Sequence, residues 1–136
     1  MNDRKLNLLM DFYELTMSYG YFNDNRHLDV AVFDVFFRQI PDKGGYAVMA
    51  GLEQVITYLE NLSFDESEIK LLRNKNIFSE EFLEFLKNFK FSSDIYAMKE
   101  GTPIFPHEPI LVVKGPLIEC QLIETMVLLT INHQSL

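Results

Sequence analysis

The sequence predicts an α+β fold, an antiparallel sheet of about four to six strands with helices packed against it. Two observations carry this. Short apolar runs are separated by closely spaced Pro and Gly, above all between Ile95 and Pro116, as in an antiparallel sheet. Between the apolar runs lie short amphipathic stretches opened by Asp or Ser, the pattern of capped helices. The 136 residues are 48% hydrophobic and 24% charged, enough for one globular domain with a core, taken as residues 1–136.

Residues 1–10 read as a lead-in arm. Asp11 and Glu14 then have capping-box spacing, which predicts a helix from about Phe12 to Asn23. Phe12, Leu15, Tyr19 and Phe22 form one apolar stripe, with Tyr13, Met17 and Gly20 on a neighbouring face. Asn23-Asp24-Asn25 ends the helix with turn residues. Leu28 to Arg38 reads as a strand apolar on both faces, hence one covered on both sides. Asp34 inside it needs a hydrogen-bond partner or a function, and Arg38 closes it before the Pro41-Asp42-Lys43-Gly44-Gly45 turn.

A second strand is expected at Gly45 to Met49, and a helix from Ala50 to Leu62 with Leu52, Val55, Ile56, Leu59 and Leu62 on one face. Asp65 and Glu68 repeat the capping box before a helix ending near Leu72. Ser79 caps another that turns Phe82, Leu83, Leu86 and Phe89 inward. Strands follow at Ile95 to Lys99 and Ile110 to Val113, with turns at Glu100-Gly101-Thr102-Pro103, Pro106-His107-Glu108-Pro109 and Lys114-Gly115-Pro116. From Ile118 a helix apolar on most sides predicts burial. It runs to His133-Gln134-Ser135-Leu136 with no stop signal, and the expectation is a chain cut inside or at the edge of a helix.

Net charge is −8, which argues against nucleic acid or an anionic membrane as partner, and against this chain alone holding a polyphosphate. No apolar run reaches the length of a membrane helix, and the first residues lack the pattern of a secretory leader, so a cytoplasmic setting is expected. The single Cys120 excludes an internal disulfide and lies in an apolar helical stretch that suggests packing. His27, His107 and His133 show no metal-ligand spacing, and His107 reads as a surface-loop residue. Ala97-Met98-Lys99 matches the tripeptide around a biotinylated lysine, but the following Glu-Gly-Thr-Pro is the wrong context. No Gly-x-Gly-x-x-Gly or Gly-Lys-Ser/Thr loop is present.

Two positions stand out as binding candidates. Tyr13 lies in the first turn of a helix, beside backbone donors and a partial positive charge that suit a flat anion. It can equally be a core aromatic. Arg38 can grip phosphate oxygens with its planar guanidinium, or be an ordinary surface arginine.

Four stretches bear on the choice: Met10 to Gly20, AVFDVFFRQIP (Ala31 to Pro41), GGYAVMAGLE (Gly44 to Glu53) and the run from Glu100 to Asn132. In that order and with that spacing they resemble the N-terminal part of nicotinate phosphoribosyltransferase, a type II phosphoribosyltransferase. The resemblance covers nearly the whole chain, which stops before the catalytic barrel of that family. It implies an enzyme that makes nicotinate mononucleotide and pyrophosphate from nicotinate and phosphoribosyl pyrophosphate (PRPP), with Mg²⁺ and ATP used by the full-length enzyme. It implies a homodimer in which this domain covers the barrel of the partner subunit. By position, Tyr13 would stack on nicotinate, Arg38 would hold pyrophosphate and Asp11 would anchor the helix start, though capping alone also accounts for Asp11. The histidine phosphorylated in that family belongs to the barrel, and the chain by itself is expected to be inactive. A non-catalytic dimerisation module and a nicotinamide-using relative are the alternatives.

Overall fold

The computed structural model describes residues 12–41 and 44–135. In chain order the elements are α1 (Phe12–Asn23), β1 (Val30–Val35), β2 (Ala47–Val48), α2 (Leu52–Glu60), α3 (Glu66–Arg73), α4 (Glu80–Lys87), β3 (Asp94–Ala97), β4 (Pro103–Ile104), β5 (Leu111–Pro116) and α5 (Leu117–Ser135). The strands form two antiparallel sheets rather than one, a three-stranded sheet ordered β1-β5-β3 and a two-stranded β2-β4 ribbon. The α+β class therefore holds, with helices on one side of the sheet.

α5 is the centre of the packing. It touches α1, α2, β1 and β5, and its residues from Ile118 to Ile123, with Val127 and Ile131, are buried. The expectation of all-round burial fails further along, where Leu128 and Leu129 are exposed. The sheet presents Ala31, Phe33 and Val35 of β1 inward, paired with Gly115, Val113 and Leu111 of β5. Its opposite face is open. Val30 is 73% and Val32 56% exposed, and Asp34 and Phe36 are exposed beside them. β1 is therefore covered on one side only, and Asp34 meets solvent instead of needing a buried partner.

Helix starts follow local rules. Asp65 accepts from the Glu68 amide while the Glu68 carboxylate accepts from the Asp65 amide, both at 2.9 Å, completing the capping box of α3. The Ser79 hydroxyl accepts from the Phe82 amide at 3.2 Å. α2 has no side-chain cap of its own. Gly51, at a φ of 95°, precedes it, and the Leu52 amide donates to the Glu100 carboxylate at 2.7 Å. A β-carbon on Gly51 would meet Gln134 and the Thr130 carbonyl of α5 at 3.1 Å, so glycine serves both the left-handed turn and the close approach.

Lys114-Gly115-Pro116 is strand rather than the expected turn. It pairs with Val32, Ala31 and Val30, and Pro116 is the last residue of β5. Gly115 allows the chain at Ser93 to pass over β5, since a β-carbon there would lie 2.5 Å from that of Ser93. The same crossing is fixed by buried Glu119 in the first turn of α5. Its carboxylate accepts from the amides of Ser92 and Ser93 at 2.6 and 3.1 Å and from their hydroxyls at 2.9 and 3.0 Å.

Candidate functional site

The amphipathic pattern of α1 divides its first turn. Glu14 and Leu15 point inward and are buried, whereas Tyr13 is 46% exposed, with Met17 exposed on the same side. Tyr13 is thus not a core aromatic. Glu14 makes a long-range contact that local pattern did not announce. Its Oε1 accepts from both the amide and the hydroxyl of Thr125, in the middle of α5. The Asp11 half of the predicted capping box lies outside the described residues. One residue back on each helix, the Tyr13 hydroxyl stands 3.5 Å from Oε1 of Glu124. Glu124 is itself held, because its Oε2 accepts from Nε2 of buried Gln121 at 2.8 Å.

The apolar stripe beneath this turn is locked by rings. Tyr19 and Phe22 meet Phe82 with centroids 5.1 and 5.5 Å apart, and Tyr19 meets Phe78 edge-on at 5.3 Å. Tyr58 of α2 packs against the same core with its hydroxyl buried. Burial first, then the Glu14 and Glu68 carboxylates, push its pKa up to about 12. It therefore stays neutral through the physiological range.

Arg38 lies three residues beyond the end of β1. Exposure still alternates there, with Phe36 and Arg38 exposed and Phe37 buried. The Phe37 carbonyl accepts from the His107 amide at 2.7 Å, and the His107 ring lies 6.2 Å from that of Phe36. His107 is exposed as expected, but its φ of 68° and this hydrogen bond pin the segment that carries Arg38. Among the described residues the Arg38 guanidinium makes no side-chain hydrogen bond or ion pair.

A seam between β1 and α5 connects the two regions. A cavity of about 130 Å³ is lined by Phe33, Val113, Cys120, Ile123 and Val127, with Glu124 at its edge. A second, of about 170 Å³, is lined by Phe36, Phe37, Leu128 and Asn132 among others. Glu124, Leu128 and Asn132 follow at i, i+4 and i+8 along one face of α5, a span of roughly 12 Å. Tyr13 approaches Glu124 at one end of this row, and Phe36 and Phe37, just before Arg38 in the chain, line the cavity at the other. Cys120 is buried in it, and burial followed by the Glu119 carboxylate raises its thiol pKa, which fits packing rather than nucleophilic chemistry.

Sequence reasoning singled out Tyr13 and Arg38 by residue type, left open whether Tyr13 was core and read the strand of Arg38 as covered on both faces, and it missed Glu124, Glu14 and Thr125 as a set. The available signal was a polar Glu-Thr pair inside the apolar run of α5, opposite an acidic residue on the inward face of α1. Among the described residues no three His, Cys, Asp or Glu side chains come together as metal ligands, and no helix is long and apolar enough to cross a membrane.

Residues 8–132 match the family described as nicotinate phosphoribosyltransferase (NAPRTase) N-terminal domain. A nicotinate phosphoribosyltransferase of Bacillus subtilis is 43% identical over 134 residues, covering 98% of this chain and 27% of that protein. The Caenorhabditis elegans nicotinate phosphoribosyltransferase is 44% identical, covering 95% and 24%. The crystal structure of human nicotinic acid phosphoribosyltransferase superposes with a TM-score of 0.83 at 33% identity, over 90% of this chain and 25% of that one. The chain spans about a quarter of the length of the curated relatives it matches. It belongs to the nicotinate phosphoribosyltransferase N-terminal domain family.

Proposed function

We propose, from that membership, that this chain forms the substrate-covering part of an enzyme joining nicotinate to PRPP, giving nicotinate mononucleotide and pyrophosphate with ATP hydrolysis, in NAD biosynthesis. The observation that carries the reading is the split first turn of α1, where Glu14 is wholly buried and Tyr13 stands out from a fixed helix. A ring presented in this way can stack on a flat pyridine without rearrangement of the backbone. Arg38, exposed at the pinned end of β1, takes part of the charge that develops on the departing pyrophosphate. Asp11 lies outside the described residues, and an anchoring role for it rests on the family pattern alone.

The reaction displaces pyrophosphate from the anomeric carbon through a cationic, oxocarbenium-like transition state, so placement of the ring nitrogen opposite the leaving group is the main requirement. The net charge of −8 supports a division of labour in which a barrel, expected from the partner subunit of a homodimer, supplies most phosphate contacts. Mg²⁺ and ATP belong to the same expectation. Among the described residues no group of three His, Cys, Asp or Glu side chains could hold the ion. A cytoplasmic setting accords with the reading.

The open outer face of β1 favours a second reading, a non-catalytic module that dimerises through apolar surface. Kinetics of Tyr13→Ala and Arg38→Ala in the full-length protein separate the two. The enzymatic reading expects Tyr13→Ala to raise the nicotinate KM or lower kcat, and Arg38→Ala to impair PRPP use more than nicotinate use. Unchanged kinetics in both variants favour the module.

A further inference from the structure

We propose that His107 is a positioning residue for Arg38, holding the peptide group from which the Arg38 side chain departs; this rests on the reading of Arg38 as the pyrophosphate contact. β1 ends at Val35, yet its hydrogen bonding continues toward Arg38. The Val35 carbonyl accepts from the Ile110 amide at 2.9 Å, and the Phe37 carbonyl from the His107 amide at 2.7 Å. Between these two bonds one side advances two residues and the other three, the extra residue of a β-bulge. His107 takes a left-handed conformation there, with a φ of 68°. Asn25 and Asn76, the other non-glycine residues of positive φ among the described ones, follow the ends of α1 and α3, where such a residue is routine. His107 ends no helix. Its conformation serves the bond to Phe37, and a left-handed residue held by its surroundings is a mark of functional segments.

The Phe37 carbonyl and the Arg38 N–H belong to one planar peptide group. Holding the oxygen fixes that plane, and with it the direction in which the Arg38 side chain leaves the backbone. Phe37 is the second anchor, since its side chain is buried and lines the cavity shared with Leu128 and Ile131. The Phe36 and His107 rings, with centroids 6.2 Å apart, meet on the exposed side. Arg38 itself is exposed, and its guanidinium has no side-chain partner among the described residues. Its aim therefore comes from the backbone beneath it. A guanidinium whose root is already fixed loses less freedom when it grips an anion. His107 thus acts on the leaving group through Arg38, by its amide and its backbone conformation.

The test is steady-state kinetics of the full-length protein carrying His107→Pro, His107→Val, His107→Gly, Arg38→Ala, or Arg38→Ala with His107→Pro, read as KM for PRPP, KM for nicotinate and melting temperature. Proline removes the amide donor and forbids the left-handed conformation, and valine keeps the amide but opposes the conformation. Each is expected to raise the PRPP KM roughly three- to tenfold, the range of one hydrogen bond, with the nicotinate KM unchanged. His107→Gly keeps the amide, adopts the conformation without strain and retains PRPP use close to the parent. Arg38→Ala is expected to raise the PRPP KM roughly tenfold or more. Adding His107→Pro to it raises that KM no further, because His107 acts through Arg38. An unchanged PRPP KM in both His107→Pro and His107→Val, an additive loss in the paired variant, an equal loss in His107→Gly, or equal effects on both substrates overturns the inference. Should His107→Pro fold poorly, His107→Val decides in its place, alone and paired with Arg38→Ala. Arg38→Ala separates the levels. If it impairs PRPP use while the His107 variants do not, only the positioning role falls. If Arg38→Ala leaves PRPP use intact, the pyrophosphate role falls, and the inference with it.

Discussion

The corner between α1 and α4 and the outer face of β1 are both rich in large apolar side chains, and the fold treats them in opposite ways. In the corner, Tyr19, Phe22, Phe78, Phe82 and Phe85 meet ring against ring with centroids 5.1–5.5 Å apart. On β1 and just beyond its end, Val30, Val32 and Phe36 stand in solvent. Composition is similar and burial is not. Apolar content therefore indicates which surfaces can be covered, while only the packing shows which ones this chain covers itself.

The largest expected effect lies in the corner. Phe82 is fully buried, and Phe82→Ala is expected to cost about 3–5 kcal/mol in urea unfolding of this chain. Val32→Ala on the open face is expected to change stability by no more than about 0.5 kcal/mol. Comparable losses at both sites would mean that the outer face of β1 is packed in solution.

Next comes Glu119→Ala. It removes the acceptor for two amides and two hydroxyls at the Ser92–Ser93 crossing and is expected to destabilise by roughly 1–3 kcal/mol. A neutral result would mean that water satisfies those donors without strain. At Tyr13 the contrast becomes functional, because Tyr13→Ala is expected to leave the melting temperature nearly unchanged while impairing nicotinate use. A large loss of stability would place the ring in the core after all.

The smallest effect at neutral pH is expected for Tyr58→Phe, since the buried hydroxyl has no hydrogen-bond partner among the described residues. Its influence appears in alkali. Tyr58 has a folded pKa of about 12 against an ordinary 10, so its contribution to stability is complete below pH 10 and is lost as pH rises toward 12. Chemical denaturation between pH 9 and 12 is expected to show a shallower decline in Tyr58→Phe than in the parent chain.

What was legible in the sequence was local. The bounds of α1, the α3 capping box and the Ser79 cap each depend on residues within a few positions of one another, and each stands as expected. What was hidden depended on distant neighbours. Lys114-Gly115-Pro116 has the composition of a turn, yet β1 on one side and Ser93 above make it strand. β4 is two residues long, begins on the last residue of the turn read at Glu100-Gly101-Thr102-Pro103, and exists because β2 lies opposite. At the candidate site residue type singled out Tyr13 and Arg38, but their exposure was hidden, because the phase of α1 left Tyr13 open as a core residue and the strand leading to Arg38 read as apolar on both faces. The Glu14–Thr125 contact joins positions 111 residues apart, and no local pattern announces it.

The central claim is that this chain supplies the covering half of a divided active site. It is tested most directly by turnover of nicotinate and PRPP with Mg-ATP, measured for the chain alone and then after mixing with a separately expressed barrel domain. The account predicts nicotinate mononucleotide only from the mixture, and less of it when the chain carries Tyr13→Ala. Product from the chain alone would contradict it.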